Sequence, residues 1–182
     1  MKNIKCLEII GNKLSFRDAT EADAEFILSL RTDEKKSRFL TETDEDIAKQ
    51  RIWLQKYATD NSQAYFIIYD STNSKIGTVR LYDIQGDSFC WGSWILADSA
   101  PSYAAIESAL IVYKYAISLG FSRAHFDVRK GNSSVYKFHE RFGAKRVLED
   151  QKNFFYEIDK SAIEASLIKY SKYLPAGVVV KA

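Results

Sequence analysis

Two stretches of this 182-residue chain place side chains able to move protons or hold anions at definite spacings. In NSSVYKFHERFG, residues 132–143, Asn132 heads a helical segment and His139 follows seven residues later. At about 3.6 residues per turn that spacing returns His139 almost to the azimuth of Asn132, on the side of Val135, Phe138 and Phe142. An amide at a helix head can cap the first turn or bond a second extended chain. An imidazole, with an ordinary pKa of ~6.5, can pass a proton near neutrality or simply pack as a partly buried ring. Tyr136, one turn before His139, is a second proton donor in reach. The other stretch, WILADSAPSYAAIESALIVYKYAISLG, runs a buried strand through a short polar loop into a helix. Such a junction presents unpaired N–H groups and a positive dipole end, which favour phosphate.

Bulk properties narrow the chemistry. With 46% hydrophobic residues, the chain can bury one substantial core and fits one domain, residues 1–182, rather than two. A net charge of +2, from 26 basic and 24 acidic residues, lacks the basic field of nucleic-acid binders, so no nucleic acid is expected as a partner. Cys6 and Cys90 lie far apart, and with His125 and His139 as the only histidines neither a zinc pattern nor a disulfide framework is present; no metal is expected. Charges interrupt the opening MKNIKCLEIIGNK, and no run approaches the ~18 apolar residues of a membrane span. The chain reads as a soluble protein of a reducing cytoplasm.

Around the two stretches the patterns alternate between periods. IKCLEII and KLSFRDA flank Gly11-Asn12 as a hairpin; TEADAEFILSLRT follows as a helix with Thr20 as cap and Asp23 in the capping-box position. DEKKSRFLTET reads as a polar loop, and DEDIAKQRIWLQKYAT resumes a helical period. AYFIIYD, KIGTVRLYDI and SFCWGSWILA form a meander across STNS and QGD. From Pro101 to Leu119, Tyr103, Ile106, Leu110, Tyr113 and Ile117 recur at helical spacing until Gly120 ends the run. A strand, SRAHFDVR, precedes the NSSVYKFHERF helix, AKRVLEDQKNFFYEI supplies two more strands, and SAIEASLIKYSKYL closes the order before Pro175. The tail AGVVVKA is left to fray or to pair elsewhere. The order is ββααβββαβαββα, a mixed α/β single domain.

This order, together with YAISLGFSRAHFDVRKGNSSVYKFHERFGA, resembles the GCN5-related N-acetyltransferase (GNAT) superfamily from residue 13 to residue 158. The resemblance implies an α/β domain with a mixed, mostly antiparallel central sheet and helices on both faces. It implies acetyl-CoA as co-substrate, held by the strand at Ile95, Leu96 and Ala97, by the loop and helix start at Tyr103, Ala104, Ala105 and Ile106, and by Asn132 and Val135. In that family a Tyr four residues before the motif's Gly protonates the departing thiolate. Gly143 matches the Gly, so His139 stands in the Tyr's place, with Tyr136 in reserve; an imidazolium there would supply the proton, and N–H groups near Leu96 would hold the oxyanion. One departure stands out: the family loop of Arg or Gln, then Gly, then Gly or Ala falls on Ala100, Tyr103 and Ala105. Only Ala105 matches, and a bulky Tyr103 stands where backbone should approach phosphate.

For the acceptor, LRTDEKKSRFLTETDEDIAKQRIWLQKY resembles two subgroups of the same superfamily. One acetylates nucleotide-linked amino sugars of bacterial surface polysaccharides, the other ribosomal-protein N-termini. The resemblance implies a small-molecule amine acceptor facing Arg31 and the loop through Thr43, with the protein α-amine and a non-catalytic acyl-CoA-binding module as alternatives; a homodimer is left open. Glu42 is the named candidate for the base that frees the amine, although acidic residues before a helix also complement its dipole. Trp91 and Trp94, three residues apart on one strand, should face opposite sides, so that one, Trp91, could stack a sugar or base while the other fills the core.

Overall fold

The computed structural model describes residues 3–40 and 42–182; Met1, Lys2 and Thr41 lie outside the described residues. The elements are β1 (Glu8–Ile10), β2 (Ser15–Asp18), α1 (Ala24–Arg31), α2 (Glu34–Ser37), α3 (Ile47–Ala58), β3 (Ala64–Tyr69), β4 (Lys75–Gln85), β5 (Ser88–Leu96), α4 (Ala104–Ser118), β6 (Arg123–Arg129), α5 (Ser133–Arg141), β7 (Lys145–Glu149), β8 (Asn153–Ile158), α6 (Lys160–Lys169) and β9 (Val179–Lys181). Among the described residues the strands form one sheet in the order β7-β8-β6-β5-β4-β3-β2-β1-β9. Neighbours run antiparallel except β5 and β6, whose parallel pairing requires the crossover through α4.

Alternation along β3 sorts the helices onto two faces. Tyr65 and Ile67 pack with Ala24, Ile27, Leu54 and Tyr57 of α1, α3 and their approach. Phe66 and Ile68 point the other way, into a larger core with Leu110 and Ile111 of α4, Phe138 of α5 and Ile163 of α6. The α4 segment is apolar on nearly every side and is correspondingly buried, and Gly120, at φ 84°, ends it where a left-handed residue is needed. The capping box before α1 forms as its spacing predicts: the Thr20 N–H donates to Asp23 Oδ2 at 2.8 Å.

Two elements go beyond the sequence reading. The polar segment after α1 contains the single turn α2, started by the Asp33 side chain accepting from Lys35 N. The tail does not fray: β9 pairs with β1, and Lys181 Nζ meets Glu8 Oε2 at 2.7 Å. The open edge of β1 supplies unpaired backbone groups, and a Val-Val-Lys segment suits them.

The hairpin and α4 are joined by one buried carboxylate. Glu107 Oε1 accepts from the backbone N–H groups of Asn12, Lys13 and Leu14 at 2.8, 2.7 and 2.9 Å. The turn can come this close because residue 11 is Gly; a Cβ there would lie 2.6 Å from Ile111 Cδ1 and 2.9 Å from Glu107 Oε1. Replacing Glu107 with Ala removes the shared acceptor of three donors. Glu107→Ala is expected to lower stability by about 3 kcal/mol or more, read as a lower urea midpoint at an unchanged m-value.

Candidate active site

β5 and β6 pair only from Ser88↔Arg123 to Cys90↔His125 and then separate. Their parting opens a cleft of about 350 Å³ between Trp91, Gly92, Ser93 and Trp94 on one wall and β6, Asn132, Val135, His139 and Asn153 on the other. The inner edge of β5 beyond Cys90 has no strand partner among the described residues, which leaves backbone groups able to bond an extended ligand.

Of the residues expected at the coenzyme, Asn132 and Val135 line this cleft. Ile95, Leu96, Ala97, Tyr103, Ala104, Ala105 and Ile106 do not; they continue along β5, the loop and the first turn of α4, with Ile95 and Ala104 buried in the core. Asn132 is the N-cap of α5, yet its side chain makes no bond to the helix backbone among the described residues; its Oδ1 accepts from Ser134 Oγ at 3.3 Å, which leaves the amide NH2 to offer to a ligand. Tyr103 is less obstructive than its size suggests. Its ring lies under Lys13 Nζ, 4.8 Å from the centroid, and lines a small recess with Asn12, Lys172 and Tyr173. At the same loop Asp98 is held by Lys36 at 2.6 Å and Lys35 at 3.7 Å.

His139 sits on the predicted face of α5 and is only 5% exposed. Trp91, Trp94, Phe126 and Phe138 surround the ring, with Phe126 at 4.1 Å between centroids. Burial pushes its pKa from 6.5 down to about 3. Burial thus favours the uncharged ring at neutral pH, a much weaker acid than the imidazolium expected from the sequence. Its Nδ1 is buried without a partner among the described residues, as are Trp91 Nε1 and Asn153 Oδ1 in the same cleft. Tyr136 does not line the cleft; its ring meets Phe154 edge-on at 5.5 Å, on the β8 side of α5.

The expected division of the tryptophans also changes. Trp91 and Trp94 lie on the same side, with ring centroids 5.2 Å apart. Between the pairs Arg80↔Gly92 and Thr78↔Ile95, β5 advances three residues while β4 advances two, and Ser93 takes φ 46°. This bulge inserts one residue and shifts the side-chain phase, so residues three apart share a face. Trp91, 3% exposed, lines the first cleft and packs into the core.

A second cleft of about 530 Å³ lies under α1 and α3, joined to the first at Arg31, Tyr82 and Ser93. Arg31 and Glu42 line it as anticipated; Arg31 Nε donates to Thr43 Oγ1 at 2.7 Å, and Glu42 is exposed. Its aromatic wall is Trp53, Tyr65 and Tyr82. Arg80 crosses it, stacked 4.6 Å over Tyr82 and 5.3 Å over Trp53, with Nε donating to Gln63 Oε1 at 2.6 Å. No ion pair engages Arg80 among the described residues; burial lowers its pKa, and the charge of Arg31 adds to that. Arg80 and Tyr82 escaped the sequence reading, although an Arg at period two with a Tyr in the apolar run KIGTVRLYDI was the available signal. Among the described residues no cluster of His, Cys, Asp and Glu could hold a metal, and no helix is long and apolar enough to cross a membrane.

Residues 13–145 match the acetyltransferase (GNAT) domain family. Among solved structures the chain is similar to apo FdhC, a nucleotide-linked sugar GNAT, with 42% identity over 90% of this chain and 96% of that one at a TM-score of 0.81. The fold is shared with the Vibrio cholerae spermidine N-acetyltransferase in complex with CoA and spermine, at 19% identity over 84% and 98% of the two chains and a TM-score of 0.74. It is shared too with a GCN5-related N-acetyltransferase from Brucella melitensis, at 16% identity over 92% and 85% and a TM-score of 0.77. No curated protein matches the chain.

The buried neutral His139 links stability to pH. Its folded pKa lies below the unfolded value, so its contribution is complete above about pH 6.5 and falls as the pH drops towards 3, at a limiting slope of about 1.4 kcal/mol per pH unit. His139→Phe is expected to flatten the loss of stability between pH 6.5 and 4 relative to the parent protein in urea titrations. A parallel loss in both proteins would show that the ring is not buried neutral.

Proposed function

The chain belongs to the GNAT acetyltransferase family, and on that premise we propose that it transfers acetyl from acetyl-CoA to the primary amine of a nucleotide-linked amino sugar. The observation that carries this reading is the pair Arg31 and Arg80 lining one aromatic-walled cleft, with burial, and to a lesser degree the charge of Arg31, disfavouring the charged form of Arg80. A diphosphate offsets that effect through charge-assisted, bidentate hydrogen bonds, and Trp53 offers a face to a base or sugar. The 42% identity to a nucleotide-linked sugar GNAT supports the same acceptor class. A basic protein N-terminus finds less support: Glu42 and Asp44 at the cleft could meet its charge, but it carries no anionic group for Arg31 and Arg80.

The donor cleft fits acetyl-CoA in kind. The open edge of β5 suits the amides of a pantetheine arm, Asn132 has an amide to offer, and the aromatic ring of residues about His139 suits an acyl group. His139 shapes that slot and excludes water rather than supplying a charge. His139→Phe is therefore expected to retain kcat within a few-fold; a loss of about 10²-fold or more would restore a proton-transfer role.

Thiol release from acetyl-CoA, measured with nucleotide-linked amino sugars, free amino sugars, polyamines and peptide N-termini, tests the acceptor. Turnover is expected with a nucleotide-linked amino sugar, and Arg80→Gln should raise its KM by about 10-fold or more while leaving the slow reaction of the free sugar little changed. Equal turnover of the free sugar would remove the nucleotide from the reading. Coenzyme binding without turnover of any amine would make the chain a storage module.

A further inference from the structure

Cross-strand register on the α1 and α3 face of the sheet places charged groups in rows. Tyr82, Cys90, His125 and Glu157 are successive partners across β4, β5, β6 and β8. One row further along, Arg80 pairs with Gly92 on β5, and on β6 the residue two beyond His125 is Asp127, paired with Phe155 of β8. Had the β5–β6 ladder continued, Gly92 and Asp127 would have been partners, by the same offset as Cys90 and His125. They instead face each other across the parting of the strands, and both line the donor cleft. Alternation turns Ala124, Phe126 and Val128 into the α4 and α5 core and leaves Asp127 on the acceptor face.

Gly92 leaves the middle of this row bare. A Cβ there would meet the Tyr82 hydroxyl at 2.9 Å. The row thus has a guanidinium at one end, a glycine between, and a carboxylate at the mouth of the cleft. With strands about 4.8 Å apart, and wider at the parting, its ends are on the order of 10 Å apart or more. Asp127 enters no hydrogen bond or ion pair among the described residues, whereas Asp83 of the neighbouring row is bound by His125 at 3.1 Å.

Resting on the nucleotide-sugar reading, we propose that Asp127 receives the ammonium group of the acceptor and takes its proton, and that Arg80 and Asp127 together set the direction in which a molecule anionic at one end and cationic at the other must lie. Asp127 removes one proton from the ammonium, leaving the neutral amine to form the C–N bond with the thioester carbonyl. As the C–S bond breaks, the second proton lost by nitrogen reaches the sulfur, so the coenzyme leaves as thiol and Asp127 releases its proton to solvent. No imidazolium is required, in keeping with a neutral His139.

The titratable and charged groups that share these clefts with Asp127 and could also shape a pH profile are Tyr82 and Asp83 on β4, Cys90 on β5, His125 and Arg129 on β6, Glu157 on β8 and Arg31 on α1, with Arg80 at the far end of the row. The test therefore compares Asp127→Asn with the parent protein on an acceptor already shown to be turned over; if the parent acetylates none, it is the acceptor reading that fails. Asp127→Asn should bind acetyl-CoA normally, lose about 10²-fold or more in kcat/KM at pH 7, and recover about tenfold per pH unit as solvent frees the amine. A kcat/KM within threefold of the parent across that range overturns the proposal. Should Asp127→Asn fail to bind coenzyme, Asp127→Ala with added formate decides: recovery of turnover supports the role, and no recovery overturns it.

Discussion

Everything at the site follows from β5 and β6 pairing over three residues and then parting. Parallel neighbours in an otherwise antiparallel sheet need a long crossover, and α4 supplies it, which places a helix start beside the end of β5. Unpaired backbone groups on the inner edges would each cost about 1–3 kcal/mol if buried without partners. The fold keeps them at a cleft, where an extended ligand or water can satisfy them. α5 and β8 then support the far wall, so the opening is a fixed part of the packing rather than a fault in the sheet.

The two faces of the opening have opposite electrostatic characters. Against α4 and α5 it is lined by aromatic rings, and burial there disfavours the charged form of the His139 imidazole. Towards α1 and α3 stand Arg31, Arg80, Tyr82 and Asp127. A transfer that must keep water from a thioester yet handle a charged amine needs both environments within a few ångströms, and the two sides of one pleated sheet provide them.

Much of this was legible in the sequence. The helical period of the α4 segment, the capping box at Thr20 and Asp23, and the Asn132-to-His139 spacing all describe local geometry, which periodicity reports well. Non-local facts were out of reach. Burial of His139 depends on Trp91 and Trp94 from another strand, and their shared side depends on a bulge in which Ser93, rather than the adjacent Gly92, takes the positive φ. Arg80 acquires its role from Arg31, 49 positions earlier in the chain. The pairing of β9 depends on an open edge left by β1, about which the tail itself says nothing.

The bulge at Ser93 makes the length of β5 matter separately from its composition. Substitutions along Trp91–Leu96 change one side chain each, but deleting Ile95, with the bulge closing to absorb the loss, would set Trp94 opposite Thr78 in an even ladder and turn it to the other face, breaking its Nε1 bond to Ser108 on α4 at 3.1 Å. Residue number along this strand is therefore constrained separately from residue identity. Insertions and deletions should be confined to the loops on either side, and two homologues that differ in length between Gly92 and Leu96 would not share the same arrangement of donor and acceptor clefts.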